Sequence, residues 1–326
     1  MRALLIGGTG FIGSNLALYL SKRSDEVVIY HRQSSSLAHV ASIPCPLVVG
    51  ELDDESTLDL SISRCDVVFN LAACTSPLNK DAALREAINV DGAQRIARLA
   101  RKNGVRLVHI SSIAAVGSPC PGHVADETLT FNRQHDPYGS SKYRSEQVIL
   151  EEVAKGLDGV IACPGNVVGG HGMKPTQQNN FVAISQGKMK LYPPGGVCLT
   201  DVDDLVNGLY LCAQKGRSGQ RYLLGGHNVL FKDYFAEIAK ATGGRVPWIP
   251  LPGALLPVMG WGVEIVFGMM GRQPPVNRDT GDVVSRKMYY SSQKAITELG
   301  YTIGDWREAI HKAARLIGFE KQTGAS

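Results

Sequence analysis

The sequence has no Cys-x-x-Cys pair, and its seven cysteines (Cys45, Cys65, Cys74, Cys120, Cys163, Cys198 and Cys212) are an odd number. A disulfide framework or a zinc site, which need paired thiols at set spacings, is not expected. Several of these thiols sit inside apolar runs, where cysteine packs as a small hydrophobe, and that suits a reducing compartment. No charged-then-apolar leader precedes the first strand pattern, so no signal peptide is expected and a cytoplasmic location is. Long apolar runs are absent too. The greasiest late stretch, 247–271, is interrupted by Pro250, Pro252, Pro257, several glycines and Glu264, whereas a spanning helix needs about 20 mostly apolar residues. Two readings of it stay open: part of a substrate lobe, or a surface that touches a membrane. Basic clusters are missing as well. The formal charge is +4, from 34 basic and 30 acidic side chains, and the basic ones are scattered, so a nucleic-acid partner is not expected. Neither a metal-ligand pattern nor an internal repeat is present.

What is there is 326 residues, 44% apolar and 20% charged, ordinary for a globular chain and long enough for two lobes. Apolar strand-like runs occur at Arg2–Gly7, Glu26–Tyr30, Pro46–Val49, Asp66–Leu71, Arg106–Ile110 and Gly159–Cys163. Helical spacing covers Phe11–Ser21, Asp81–Asn103 and Pro137–Lys155, the last with Asp136 as N-cap and Pro137 at the first helical position. Near-continuous apolar strands between helices predict an α/β fold: a Rossmann-type doubly wound parallel sheet, covered on both faces. The dinucleotide-binding domain is expected over 1–165. After Pro164 the rhythm loosens and glycine and proline become frequent. Residues 166–326 are expected to form mainly a smaller C-terminal α/β substrate-binding lobe. Segments near Thr200–Tyr210 and Gln220–Leu224, within 199–224, are expected to return to the sheet.

The first strand runs into Gly7-Gly8-Thr9-Gly10-Phe11-Ile12-Gly13 and then a helix, the context in which a glycine triplet signifies dinucleotide binding. Gly7 permits the tight turn, Gly10 lets backbone approach a pyrophosphate, and Gly13 lets the helix pack on the strand. The helix N-terminus offers its free N–H groups to phosphate, so Thr9, Phe11 and Ile12 join the glycines as cofactor-binding residues. An NAD site places a carboxylate about 20 residues on, at the end of the second strand. Here that strand ends Tyr30-His31-Arg32. Arg32, helped by His31 or Ser34, fits a 2′-phosphate instead, which favours NADP over NAD. Glu51 and Leu52 follow the third strand and are expected near the adenine. Leu71, Ala72 and Ala73 end the fourth, where small residues let the chain pass close to the cofactor. Asn89 has two open readings, a backbone tie or a contact at the site.

Tyr138 and Lys142 stand four residues apart, on one face of the predicted helix. An ammonium there is expected to lower the phenol pKa and fit Tyr138 for general acid or base work. The preceding strand ends Ser111-Ser112, at a carboxyl end that faces the ligand crevice. Ser112 is the choice for holding a substrate oxygen, and Ser111 is expected to be tied to the backbone beside the cofactor.

These segments together resemble an extended short-chain dehydrogenase/reductase: GGTGFIG, GEL where the family usually has Gly-Asp-Leu, NLAA, HISSIAAVG, YGSSK, Pro164-Gly165-Asn166-Val167, Thr200-Asp201-Val202-Asp203-Asp204 and YYSSQKAITELGY. The similarity spans essentially the whole chain. Within the superfamily it is strongest to dihydroflavonol-4-reductase-like and 3β-hydroxysteroid dehydrogenase-like proteins, including hopanoid-associated sugar-epimerase homologues. The resemblance implies that Ser112, Tyr138 and Lys142 are catalytic. It also implies that Pro164, Gly165, Asn166 and Val167 contact the nicotinamide, and that the chain forms a homodimer through Asp81–Asn103 and Pro137–Lys155. The expected function is NADP(H)-dependent reduction of a ketone or aldehyde, or oxidation of an alcohol. The substrate is expected to be small and hydrophobic, with Trp248, Leu251, Trp261 and Phe267 either lining its pocket or packing as core. Two rivals stand beside this. One is a nucleotide-sugar epimerase or dehydratase, against which Cys163-Pro164-Gly165-Asn166 lacks the Arg-Tyr/Pro-Asn character usual before a nucleotide-sugar lobe. The other is a non-catalytic dinucleotide sensor, which would have no need of the acid.

Overall fold

The computed structural model describes residues 1–173, 175–253 and 278–319. Its first half runs β1 (Arg2–Ile6), α1 (Phe11–Lys22), β2 (Glu26–His31), β3 (Leu47–Val49), α2 (Glu55–Ile62), β4 (Val67–Asn70), α3 (Ala82–Glu86), α4 (Gly92–Lys102), β5 (Arg106–Ile110), α5 (Pro137–Ala154) and β6 (Gly159–Pro164). The remainder contains β7 (Asn166–Val168), α6 (Pro175–Ser185), β8 (Leu191–Tyr192), β9 (Gly196–Asp201), α7 (Val202–Lys215), β10 (Arg221–Leu224), β11 (His227–Leu230), α8 (Phe231–Thr242), β12 (Ile249–Pro250), α9 (Arg278–Ser285), β13 (Lys287–Met288), α10 (Gln293–Leu299) and α11 (Trp306–Leu316).

Alternation along each strand explains why the sheet needs cover on both sides. In β1, Ala3 and Leu5 enter one hydrophobic cluster while Leu4 and Ile6 enter the other. The same switch occurs in β6, with Val160 and Ala162 against Ile161 and Cys163. Helices α1 and α7 cover the first face, and α2, α4 and α5 the second. The strands lie in the order β10-β6-β5-β4-β1-β2-β3, all parallel. This is the expected Rossmann-type doubly wound sheet. Its order reverses between β1 and β4, and a crevice opens there at the carboxyl ends.

Two expectations need correction. Thr200–Tyr210 does not return to this sheet. Thr200 and Asp201 end β9, which pairs with β7, β11 and β13 in a second sheet, and the chain then turns into α7. Buried Val202, Leu205, Val206 and Leu209 recur at helical spacing and press on the main sheet; Arg221–Leu224 supplies the added strand, pairing with β6. Asp81–Asn103 is also not one regular helix. Asn79–Asp81 is a 3₁₀ turn, and a π-turn at Ala87–Asp91 separates α3 from α4. In the second lobe, α6, α8 and α11 share a core containing Phe181, Ile238 and Ile310. All seven cysteines are unpaired thiols. No described helix is long and apolar enough to cross a membrane.

Candidate active site

The glycines of the first turn do three different things. Gly7 has φ +84°, and a Cβ on it would lie 2.9 Å from the Ala72 nitrogen, so the turn passes against the end of β4. Gly13 would place a Cβ 2.6 Å from the Gly8 Cα; its lack of one lets α1 seat on the turn. Gly10 is different. The nearest atom to its Cβ position is the Gly7 oxygen at 3.4 Å, so room is left on that side. No side chain caps α1, whose first N–H groups therefore remain available to an anion. Two cavities of about 530 and 460 Å³ meet here, sharing Gly7, Gly10, Leu71 and Ala73. Together they form a long cleft across the carboxyl ends of the strands. The glycine cradle, the uncapped helix and the length of the cleft fit a dinucleotide.

The larger cavity is lined by Ser112, Tyr138 and Lys142, together with Phe11, Ile12, Gly13, Ser111 and the Pro164–Val167 segment. Local structure brings the three side chains together. Ser112 ends the β5 segment and caps a 3₁₀ turn, its Oγ accepting from the Ala114 N–H at 3.1 Å. Asp136 Oδ1 caps α5, accepting from the N–H groups of Tyr138 (3.1 Å) and Gly139 (3.0 Å). Gly139 matters for closeness: a Cβ there would meet the Ala114 oxygen at 2.7 Å, so only glycine lets the first turn of α5 rest on the turn after Ser112. Lys142 follows one helical turn later, with Nζ donating to the Ile110 oxygen at 2.8 Å.

Burial reverses one expectation. The Tyr138 phenol is pushed up to about 12 because desolvation of its anion outweighs the opposing effect of the Ser112 side chain beside it. The group thus stands as a neutral acid and not as a partly ionised base.

Two buried networks lie behind these residues. In the first, Asn70 Nδ2 meets His109 Nδ1 at 3.2 Å, and His109 Nε2 meets Ser145 Oγ at 3.0 Å. Ser145 Oγ donates to the Lys142 oxygen at 2.7 Å, so its own proton is committed and His109 Nε2 is the donor. Burial, then the charge of Lys142, hold the His109 pKa well below the usual imidazole range, so the ring is neutral. In the second, Ser111 Oγ donates to Glu146, correcting the expectation that it is tied to backbone. Glu146 also takes a 2.6 Å ion pair from Arg221 of β10 and a bond from the Cys163 thiol at 3.4 Å. Its pKa is raised, chiefly by burial.

Asn89 resolves toward its structural reading. The π-turn directs its amide inward, where it brackets Cys74 through both backbone groups (2.8 and 3.0 Å) and donates to Ser141 Oγ at 2.9 Å. It lines neither cavity but holds the loop after β4 against α5; π-turns often occur near functional sites.

The smaller cavity is lined by Thr9, His31, Arg32, Glu51, Leu52, Leu71, Ala72 and Ala73. Ser34 is absent from it and Ser35 is present, a shift of one residue in a tight turn. Sequence reasoning missed Arg95 here, whose Nη1 donates to the Leu52 oxygen at 2.8 Å; its spacing in α4 carried no signal of what the helix faces. In the larger cavity it missed Arg133, Gln177, Val197, Met288 and Tyr290, which come from loops and from strands and a helix of the second lobe. Trp248 is exposed, and neither it nor Leu251 lines either of these two cavities; Trp261 and Phe267 lie outside the described residues.

A Synechocystis sp. protein provisionally named dihydroflavonol 4-reductase is 32% identical to this chain, over 94% of this chain and 92% of that protein. Sterol demethylase protein B of Methylococcus capsulatus is 27% identical, over 78% and 79%. The crystal structure of gox2253 superposes with a TM-score of 0.85 at 30% identity, over 98% and 99% of the two chains. The sequence profile of the NAD dependent epimerase/dehydratase family matches residues 3–225. The chain belongs to that family, as an NAD(P)-dependent enzyme of the extended short-chain dehydrogenase/reductase type.

Proposed function

We propose that the protein is a cytoplasmic, homodimeric, NADP(H)-dependent carbonyl reductase or alcohol dehydrogenase that acts on a small apolar molecule. The observation that carries this is the convergence of Ser112, Tyr138 and Lys142 on the cavity that also contains the glycine turn. NADPH, when bound, supplies the hydride. Ser112 holds the substrate oxygen. Tyr138, kept protonated by burial, donates a proton to that oxygen as charge develops on it. Lys142, fixed on the Ile110 carbonyl, stabilises the phenolate left behind.

Arg32, directly after β2 where an NAD site has a carboxylate, supports NADP, and Arg95 adds a second guanidinium to the same cavity, which Glu51, Asp53 and Asp91 also line. The substrate side has Val197, Val283, Met288 and Tyr290 as its wall, which supports an apolar molecule over a nucleotide sugar. The sterol-related name of one relative agrees with that.

The test is Tyr138→Phe, assayed against ketones, steroids and nucleotide sugars with NADPH and NADH in parallel. Turnover should fall by about 10²–10⁴, with NADPH binding, read by fluorescence, little changed. Unaltered turnover would overturn the proton-donor role.

A further inference from the structure

Arg133 is the one guanidinium among the described residues that line the larger cavity. It is 3% exposed, and a guanidinium so buried needs partners. Those it has are incomplete. Nε reaches Asp136 Oδ2 at 3.4 Å, Nη1 donates to Ser118 Oγ at 3.0 Å, and the Asp282 carboxylate stands 3.8 Å from Nη1. Asp136 divides its oxygens, Oδ1 capping α5 and Oδ2 facing Arg133 at 3.4 Å. The bonds and ion pairs of Arg133 with described residues run through Nε and Nη1, none through Nη2, and the side chain lines the cavity. Arg133 lies five residues before Tyr138 in the chain, and on the same cavity the neighbouring wall is apolar, from Val283, Met288 and Tyr290.

We infer that Arg133 is a specificity-determining residue: its Nη2 donates to a second oxygen of the substrate, one that does not react. Charge decides what kind of oxygen. Asp136 and Asp282 stand beside Arg133 and already match its charge, and Lys142, the other cation on this cavity, is held on the Ile110 carbonyl, so the fork has no charge left to compensate a carboxylate, whereas a keto or hydroxyl oxygen accepts from it without needing one. The substrate class is therefore a neutral, largely apolar molecule bearing a second carbonyl or hydroxyl. This rests on the reductase reading above and narrows it.

The experiment compares 1-phenylpropan-2-one, 1-phenylpropane-1,2-dione and phenylpyruvate with the wild-type protein, Arg133→Met and Arg133→Lys. The lysine variant keeps the charge beside Asp136 and Asp282 but loses the planar fork, and serves if the methionine variant does not fold. In either variant kcat/KM should fall on the order of tenfold further for the dione than for the monoketone, the effect of one charge-assisted hydrogen bond. Equal losses for both would overturn the inference, and so would a wild-type preference for the keto acid. Calorimetric binding of the dione to the complex with NADP+ separates the two readings. Binding that Arg133→Lys weakens about tenfold, without turnover, retains this inference and sinks the reductase. Binding that the variant leaves unchanged, or no binding to wild type, sinks the inference.

Discussion

The two ends of the cleft are built in opposite ways. At the catalytic end His109, Ser111, Lys142, Ser145 and Glu146 are each 2% exposed or less. At the other end, in the smaller cavity, Arg32, Glu51, Asp53 and Asp91 are all exposed. A buried polar group must find partners or lose stability, so Lys142 and the networks behind it are fixed by bonds to the sheet and α5, while half-buried Ser112 and Tyr138 are placed by the turns that carry them. An exposed side chain has water for a partner and is held by little. The chemistry is thus preorganised by the fold, while cofactor preference rests on a few replaceable surface groups.

The largest effect should come from breaking the buried network under Ser111. Glu146→Leu removes the acceptor of Ser111, Cys163 and Arg221 at once. Removing one member of a buried pair costs about 3–5 kcal/mol, and the lower end applies because the Arg221 side chain is 18% exposed. Urea unfolding should show this, and Glu146→Leu with Arg221→Met should recover most of it. Loss of less than about 1 kcal/mol would mean that burial does not build the catalytic end.

His109→Phe should cost less, about 1–3 kcal/mol, since Asn70 and Ser145 each lose a partner. It also carries a pH signature. The folded pKa of His109 is depressed well below the model-peptide value of 6.5. Below that value the unfolded chain takes up a proton that the folded chain refuses. The contribution is therefore present above pH 6.5 and lost as pH falls, by up to about 1.4 kcal/mol per pH unit. Unfolding measured between pH 7.5 and 5.5 should show a shallower acid slope in the variant. Parallel slopes would show that this ring does not stay neutral in the fold.

What the sequence showed of each end follows from the same difference. Strand alternation, the glycine turn and the four-residue spacing of Tyr138 and Lys142 are local patterns, and they sufficed for a doubly wound parallel sheet and for placing Ser112, Tyr138 and Lys142 on one cavity. Arg133 and Tyr290 escaped because loops and distant strands carry no period that says what they face. The phenol shift was misjudged because spacing reports the neighbouring ammonium but not the desolvation that outweighs it. The tie of Ser111 to Glu146 spans 35 residues, and no local pattern reports that. Asn89 was undecidable before the π-turn that points it inward was visible.

The smallest structural effect, and the sharpest functional one, belongs at the exposed end. Arg32→Ala should leave urea unfolding unchanged, since the side chain is in solvent. KM for NADPH should rise on the order of tenfold, because one charge-assisted contact to a 2′-phosphate is lost, while KM for NADH stays within about twofold. Arg95 remains in the cavity, so some attraction for the phosphate should persist. Arg32→Asp goes further: it places a carboxylate where an NAD site has one for the ribose 2′-hydroxyl, and should invert the preference outright. If both cofactors respond alike, or if either variant unfolds more readily, then this end is as firmly built into the fold as the other and the contrast between them fails.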